Sequence, residues 1–452
     1  MFTIRKYFKP KRSAPIRGRS SYHDLALAIS KCEPVPELLK RCLQLGLRDR
    51  ACRLVESYKG DLPAVSLLRL ALMRGDIVSA RQIGYAHLAS DRINVDDANE
   101  IAMLMAAVDS ALVYELARMY PRQIVCSAAV RQRAADGQDW SSLKFPKPAR
   151  LGPDFFLLNC NAHGALTKKL GFFADYLRAF DLPVYLAPIT DYQLGSKPEP
   201  INLKPRSRCN TDVPLVSVIM AVRNCAPYIK TAIYSLLNQS YQALEVLVVD
   251  DASTDDTVDV LNSHFAHNSR VKIFVLSENV GAYEAKNIAL REAQGDYVTF
   301  QDGDDWSHPQ RIEICSKELT SNNEILFVSH LYVRVSKEGD FYSSKVWPFT
   351  RWTPNSVFFR RSRVLERGLE FDRVKFGGDS EFMARMKVIF GERAHLKIRR
   401  PLMYALHRPD SLMSASATGL DRNGYSKART DYQQIWSERL IAYAARELDV
   451  II

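Results

Sequence analysis

Long apolar runs and paired cysteines are both missing from this chain. No stretch of the 452 residues is apolar for long enough to cross a membrane, and the first residues lack the apolar core of a secretory signal peptide. The eight cysteines are scattered and include no C-x-x-C pair, which argues against a zinc site or a disulfide framework. We therefore expect a cytoplasmic protein with reduced thiols, and its length favours two or three domains.

Acidic residues are absent from the first 23 positions, while the whole chain carries a net charge of +11. Residues 1–20 are accordingly predicted to be a basic, disordered tail. The alternative is peripheral contact with an anionic inner membrane, since apolar and aromatic residues lie among the basic ones. These residues are Phe2, Ile4, Tyr7 and Phe8. No nucleic-acid partner is expected, because no recognition motif accompanies the charge.

Helical spacing of apolar residues dominates residues 21–145, which we predict to be an all-α domain. Its short paired helices fit either a solenoid-like array or an ordinary helical bundle, because no repeat of fixed period is present. No cluster of catalytic residue types occurs there, so we expect this domain to dock a protein partner. Residues 146–212 are predicted to be a transitional segment and linker, with a strand at Phe155–Leu158 and a helix at Thr167–Phe180.

Short runs rich in Val and Ile, without polar alternation, mark the second half of the chain. Such runs are typical of strands that are buried on both faces of a parallel sheet. Segments with helical spacing separate them, so the sequence predicts an α/β fold with right-handed crossovers. The predicted strands are Val216–Val222, Leu247–Asp250, Val271–Leu276, Tyr297–Phe300 and Ile325–Val335, and a C-terminal helix is predicted at Tyr425–Leu448.

Two acidic clusters directly follow predicted strands. Asp250 and Asp251 form the first cluster, and Asp302, Asp304 and Asp305 form the second. Ligands of open α/β sheets bind beyond the carboxyl ends of the strands, so both clusters should meet at one edge. Carboxylates packed together repel each other unless a cation neutralises them, and a hard divalent ion bridging a nucleotide diphosphate meets that need.

Both acidic clusters belong to a set of short motifs that occur in a fixed order along the chain. The order is specific, although each motif alone is common. The set comprises Val216–Asn224 with Ala221 where Pro is usual, Val248–Asp251, Asn279–Gly281, Ala285–Asn287 with Lys286 for Arg, Asp302–Asp305, Phe376–Phe382 with Gly378 where Glu is common, and Pro401–Ser411. This order resembles the family 2 glycosyltransferases of the GT-A fold. The resemblance covers residues 213–415 and leaves the N-terminal region and a C-terminal helix at 416–452 outside it. It also implies that Trp352–Arg360 is the acceptor-side strand of the family.

The resemblance implies roles for the residues of the donor site. Asp304 would be the direct ligand of Mn²⁺ or Mg²⁺, and Asp302 and Asp305 would orient the ribose, water or the ion. Asp251 would accept a hydrogen bond from a uracil base with support from Asp250. The remaining residues assigned to the nucleotide sugar are Ala221, Val222, Asn224 and Lys286. His407 is either a metal ligand, a diphosphate contact or a structural residue.

The acceptor hydroxyl needs a general base, which the resemblance assigns to Asp379. Glu381 is the alternative, although an acid in the first turn of a helix also has a structural explanation. The sequence thus predicts an inverting, metal-dependent transfer of a sugar from a nucleotide sugar, UDP-linked, to a hydroxyl. By resemblance, the acceptor is a free or lipid-linked glycan of a bacterial surface, such as capsule or lipopolysaccharide. The alternative is a catalytically silent nucleotide-sugar-binding or scaffold protein that works through its helical region.

Overall fold

The computed structural model describes residues 19–90, 93–134, 137–184, 213–408, 419–421, 423 and 425–449. These residues form two compact units. A helical unit contains residues 21–184, the short segment 340–349, and the chain from 407 onward. An α/β unit contains residues 213–339 and 350–406. The basic tail and the linker predicted near residues 190–212 lie outside the described residues, apart from Arg19 and Ser20 at the end of the tail.

The helical unit consists of short helices joined by tight turns. They are α1 (Ser21–Ser30), α2 (Val35–Leu45), α3 (Arg48–Ser57), α4 (Ala64–Met73), α5 (Ile77–Leu88), α6 (Val95–Met105), α7 (Ser110–Met119), α8 (Ser127–Arg133), α9 (Pro148–Leu151), α10 (Asp154–Ala162), α11 (Leu166–Arg178) and a C-terminal helix, Lys427–Leu448. Side-chain caps begin several of them, as at Asp76, Asn94 and Asp109. Segments whose apolar residues have helical spacing thus form helices, and capping side chains define where several of these helices begin. None of the described helices is long and apolar enough to span a membrane.

The strand predicted at Phe155–Leu158 is wrong, because these residues lie in α10. Pro153 precedes the helix and Asp154 provides an acid in its first turn, both of which favour a helix start. Leu157, Leu158 and Cys160 are buried. A four-residue apolar run does not by itself distinguish a buried strand from a buried helix. Residues 146–184, which belong to the predicted transitional segment, lie in the helical unit.

The α/β unit is built on a mixed sheet. Its strands are β1 (Val216–Val222), β2 (Leu244–Asp250), β3 (Val271–Val275), β4 (Tyr297–Phe300), β5 (Trp306–Ser307), β6 (Phe327–Val335), β8 (Arg351–Trp352), β9 (Phe358–Arg360) and β10 (His395–Leu406), while β7 (Phe341–Tyr342) belongs to the helical unit. The strand order is β3-β2-β1-β4-β9-β6-β10-β5. The first four strands are parallel, as predicted, whereas β9 runs antiparallel to β4.

Helices cover this sheet, and every residue of β2 and β4 is buried. The helices are α12 (Ala226–Leu237), α13 (Thr257–Phe265), α14 (Ala282–Glu292), α15 (Arg311–Ser321), α16 (Arg361–Leu365) and α17 (Gly378–Phe390). One large core joins α14 and α17 to the sheet through Phe300, Phe359, Phe371 and Phe382. The single strand predicted at Trp352–Arg360 is wrong in one respect. A 3₁₀ turn at Pro354–Ser356 interrupts it, because Pro354 has no N–H to donate to a ladder.

Candidate active site

Parallel register brings the two acidic clusters to the same edge of the sheet. Val222 at the end of β1 lies opposite Asp250 of β2, and Ile219 lies opposite Phe300 of β4. Strand β1 therefore separates the segments that lead into the clusters, which places the two strands roughly 10 Å apart. Gly303 fixes the second cluster against β1, since a Cβ there would lie 2.9 Å from Cys225 Sγ and from Val222 Cγ1. Only glycine allows the acidic loop to pack this closely.

The first cluster holds loops in place with its carboxylates. Asp250 is fully buried and accepts hydrogen bonds from the backbone N–H (2.9 Å) and the hydroxyl of Ser253. Asp251 is also buried, and it accepts from the N–H groups of Val280 (2.7 Å) and Gly281 (2.9 Å). Gly281 has a φ of 90°, a conformation that favours glycine. Asp251 thereby fixes the loop that leads into α14.

Asn224 joins the two loops that follow β1 and β2. Its backbone N–H donates to Ser253 Oγ at 2.9 Å, and its Oδ1 accepts from the N–H of Thr254 at 2.8 Å. Its φ of 49° lies in the left-handed region that Asn tolerates better than most residues. The neighbouring Val222 is buried, and Ala221 is half-buried. These residues form one rigid wall at the sheet edge.

The second cluster combines partly exposed and buried carboxyl groups. Asp302 and Asp304 are half-buried, whereas Asp305 is 4% exposed. Burial, together with the charges of Asp304 and Asp302, raises the pKa of Asp305 well above its usual value. Burial and repulsion from its neighbours thus both disfavour a negative charge on Asp305 in the absence of a cation. Among the described residues, no group of three or more His, Cys, Asp or Glu side chains is arranged to hold a metal ion.

A buried cation supports the acidic loop from beneath. Arg311 donates to the Phe300 carbonyl at 2.8 Å and to His330 Nε2 at 3.0 Å. Burial lowers the pKa of Arg311 to about 10, and burial with the nearby Arg311 charge lowers the pKa of His330 to about 3. His330 is therefore neutral at physiological pH and accepts a hydrogen bond from Arg311.

Lys286 links the acidic loop to the next part of the site. Its Nζ lies 3.5 Å from Asp302 Oδ1 and donates to Asn355 Oδ1 at 3.0 Å, although the side chain is almost fully buried. The rings of Tyr283, Phe300 and Phe371 surround the ammonium group at 5.5–6.0 Å. Aromatic faces and two oxygens thus stabilise a charge that burial would otherwise disfavour.

Asp379 lies in the first turn of α17, where its Oδ1 accepts a hydrogen bond from the Tyr283 hydroxyl at 2.8 Å. Glu381 is buried instead and forms an ion pair with Arg385 at 2.9 Å within the same helix. Of the two candidate bases, Asp379 is half-buried and contacts Tyr283, one of the rings around Lys286. Glu381 is buried in its ion pair with Arg385. His407 belongs to the helical unit, where its ring stacks on Tyr342 at 3.7 Å, and its role as a metal ligand stays a prediction.

Sequence reasoning missed Tyr283 and Asn355. Tyr283 lies three residues before Lys286, so the spacing already places both on one face of α14. Asn355 lies in the 3₁₀ turn at Pro354–Ser356, where nothing in the local pattern indicates a contact with Lys286. The structure therefore adds an aromatic residue and an amide to the predicted charged set.

Comparison with known proteins finds similarity in the segment that contains both acidic clusters. Residues 217–389 match the family described as glycosyl transferase family 2. An uncharacterized glycosyltransferase of Haemophilus influenzae is 43% identical over 102 residues, which are 23% of this chain and 41% of that protein. Chondroitin synthase of Escherichia coli is 36% identical over 137 residues, which are 30% of this chain and 20% of the synthase. The aligned segment thus spans less than half the length of either curated relative.

A solved structure of S. aureus TarS 1–349 in complex with UDP-GlcNAc is similar with a TM-score of 0.39 and 21% identity, over 53% of this chain and 68% of that chain. The family match and the sheet order confirm the predicted α/β fold of the GT-A type, preceded by a helix-rich region. Residues 217–389 therefore form a family 2 glycosyltransferase domain.

Proposed function

We propose that the chain transfers a sugar from a UDP-linked nucleotide sugar to a hydroxyl group of a growing surface glycan, with inversion at the sugar carbon. The observation that carries the proposal is a continuous line of contacts from the acidic loop to Asp379. Asp302 contacts Lys286, the Lys286 ammonium lies over the ring of Tyr283, and Tyr283 donates to Asp379. Groups suited to a diphosphate and a group suited to a hydroxyl are thus held together on one core.

The residues of the acidic loop fit Mn²⁺ or Mg²⁺. Asp302 and Asp304 offer carboxylate oxygens. Burial and then the charges of these two residues raise the pKa of Asp305, and a cation would offset the repulsion among the three carboxyl groups. In nucleotide sites Mg²⁺ is bound by one or two carboxylates together with substrate phosphates. When bound, the ion would stabilise the charge that develops on the leaving diphosphate. Asp304 is the proposed direct ligand, with Asp302 beside it.

The chain's own residues would perform the remaining tasks. Asp251, Ala221, Val222 and Asn224 would form the wall against the nucleotide base. Asp379 would take the proton of the acceptor hydroxyl on the carboxylate oxygen that Tyr283 leaves open. The acceptor oxygen would bond to the sugar carbon as the bond to the diphosphate breaks, and a single displacement of this kind inverts the carbon.

Location and partners are part of the same proposal. One of the two curated relatives is named chondroitin synthase, which supports a free or lipid-linked glycan as the proposed acceptor. The proposed location is cytoplasmic, with the basic tail at residues 1–20 in peripheral contact with the inner membrane and the helical unit docking a protein partner. Loss of flotation on anionic vesicles in a variant without the first 20 residues would support the membrane contact.

Two substitutions separate donor binding from catalysis. Asp304→Ala should abolish turnover and remove the Mn²⁺ dependence of UDP binding, because it removes the carboxylate that is proposed to bind the ion directly. Asp379→Asn should keep nearly normal donor and metal affinity, while kcat falls by roughly 10²–10⁴, the usual contribution of a general base. The measurements are UDP release and thermal shift with a panel of nucleotide sugars.

Asp259→Asn is the matched control, since this exposed carboxylate lies in the first turn of α13 and belongs to neither acidic cluster, and it should leave both readouts unchanged. Unchanged UDP–Mn²⁺ affinity in Asp304→Ala would contradict the metal assignment. A wild-type chain that neither binds nor turns over any nucleotide sugar would instead support a silent scaffold.

A further inference from the structure

Tyr283 has a polar contact that the family resemblance does not explain. Its hydroxyl donates to Asp379 Oδ1 at 2.8 Å, and its side chain is otherwise buried, with 8% exposure. The ring packs on Phe371 with centroids 5.5 Å apart and lies 5.6 Å from Lys286 Nζ. Because packing fixes the ring, its hydroxyl is held at one place relative to the first turn of α17.

Gly378, the first residue of α17, packs directly against the ring of Tyr283. A Cβ at position 378 would lie 3.0 Å from three atoms of the Tyr283 ring, which is tighter than ordinary contacts. The related motif commonly has Glu at this position, whereas this chain has Gly next to Asp379. The absent side chain and the tyrosine ring therefore fill the same space, and the ring reaches the backbone beside Asp379.

The hydrogen bond has a fixed direction. Burial, followed by the nearby charge of Asp379, raises the pKa of the Tyr283 phenol well above its usual value. The phenol therefore stays protonated and donates to the carboxylate. One carboxylate oxygen of Asp379 is thus held, which orients the other oxygen for a proton transfer.

We propose that Tyr283 is a positioning residue for Asp379, and that Gly378 is glycine in this chain to admit the tyrosine ring. This inference rests on the proposed function, because it assigns Tyr283 a role through the base. Tyr283 differs in this respect from the residues that would touch the donor, since the Tyr283 hydroxyl contacts Asp379, the proposed base for the acceptor hydroxyl.

Tyr283→Phe tests the inference by removing one oxygen while keeping the ring beneath Lys286. We expect kcat to fall roughly 10- to 100-fold, the scale of a misplaced catalytic group, with the KM for the donor and the affinity for UDP unchanged. Tyr297→Phe is the matched control. It also removes the hydroxyl of a buried tyrosine in this unit, one that bonds Thr320 Oγ1 at 3.3 Å, and it should leave kcat unchanged.

A double substitution separates positioning from a general structural effect. In the Asp379→Asn background, Tyr283→Phe should cause little further loss of single-turnover rate, because residues that act as a unit are not additive. Equal losses of rate in the two backgrounds would overturn the inference, as would a Tyr283→Phe enzyme with wild-type kcat. If the wild-type chain shows no transfer, the proposed function itself fails. If Asp379→Asn is fully active, transfer stands but Asp379 is not the base, and the role of Tyr283 falls with that assignment.

Discussion

At the scale of single residues, motif side chains that suggest ligand contacts also hold the backbone. Asn287 is the clearest case, because its amide donates to the Phe371 carbonyl at 3.0 Å and accepts from the Phe371 N–H at 2.8 Å. It substitutes for a neighbouring strand and satisfies both backbone groups of a buried residue. The side chains of Asp251 and Asn224 also hold backbone, since each accepts hydrogen bonds from N–H groups of a neighbouring loop. The site is therefore rigid before a ligand arrives.

Gly303 is a position where even a small added side chain should displace the acidic loop. In Gly303→Ala the new Cβ would contact Cys225 Sγ and Val222 Cγ1 at 2.9 Å, so the acidic loop must move away from β1. We expect the free energy of unfolding to fall by about 1–3 kcal/mol, as in overpacked cores. Metal-dependent UDP binding should weaken as Asp302 and Asp304 shift with the loop. Urea denaturation and UDP titration measure the two effects.

Gly171→Ala is the control for that substitution. Gly171 lies exposed in α11, where no heavy atom lies within 4 Å of the added Cβ. Alanine there should raise stability by roughly 0.5–1 kcal/mol, because glycine is the poorer helix former. Should Gly303→Ala bind UDP and metal as the wild type does, the acidic loop is not held by its contact with β1.

At the scale of elements, a buried carboxylate joins the strands that form the site. Glu245 on β2 accepts from Ser217 Oγ of β1 at 2.6 Å and from the Gln294 N–H before β4 at 2.8 Å, and it pairs with Lys272 of β3 at 2.8 Å. The Glu245 side chain therefore links β1, β2 and β3 to the segment that precedes β4. Burial raises the pKa of Glu245, but the bonds from Lys272 and Ser217 lower it further, so the pKa lies below its ordinary value of 4.5.

Glu245→Gln should reduce stability in a pH-dependent way. Since the folded-state pKa is below the unfolded value, the stabilisation is fully present above the unfolded pKa and is lost as the pH falls through the folded-state pKa. We expect a loss of about 1.5–3 kcal/mol at neutral pH, typical of hydrogen bonds to a charged group. The difference from the wild type should shrink in acid. Urea unfolding across the pH range measures it.

Glu366→Gln is the comparison for this prediction, because Glu366 is exposed and only 3.7 Å from Arg363 on the surface. Surface pairs of this kind contribute little, so its stability should stay within about 0.5 kcal/mol of the wild type. A constant stability difference for Glu245→Gln at every pH would show that shape, and not charge, explains the effect.

The elements also show how far the sequence determines this fold. The parallel strands were predictable because Val216–Val222 and Tyr297–Phe300 are buried on both faces and carry that pattern in their composition. The meeting of the acidic clusters followed from the geometry of such sheets. The contact between Lys286 and Asn355 was not predictable, since it joins segments 69 residues apart whose approach depends on the whole core.

At the scale of the whole molecule, the helical unit is discontinuous in sequence. Its segment 340–349 lies in the sequence between two stretches of the α/β unit. Side chains of α8, α10 and α11 contact this segment. Asn161 donates to the Phe341 carbonyl at 2.8 Å and accepts from its N–H at 2.7 Å, while Phe173 stacks on the Phe341 ring. Asp154 accepts from the Phe349 N–H at 2.7 Å. Both ends of the segment are thus anchored.

The C-terminal helix is a second part of this unit. Arg50 pairs with Glu438 at 2.9 Å, and Ser437 Oγ donates to the Leu45 carbonyl at 2.6 Å. Trp436, Leu440 and Ile441 are buried. Each large side chain of this kind contributes about 1.5–3 kcal/mol when it is buried, so the three together are comparable to the stability of a small domain.

The linker predicted within residues 146–212 suggests that the chain before it forms a separable module, whereas these contacts lead to a different expectation. A fragment of residues 1–212 lacks both the segment 340–349 and the C-terminal helix, so its apolar contact surfaces for them would face water. We expect it to melt without cooperativity or at a much lower temperature than the intact chain, as measured by circular dichroism and urea denaturation. Coexpression with residues 213–452 should restore the transition and copurify the two fragments. A 1–212 fragment that melts as cooperatively and at the same temperature as the intact chain would show that the later segments add nothing to this unit.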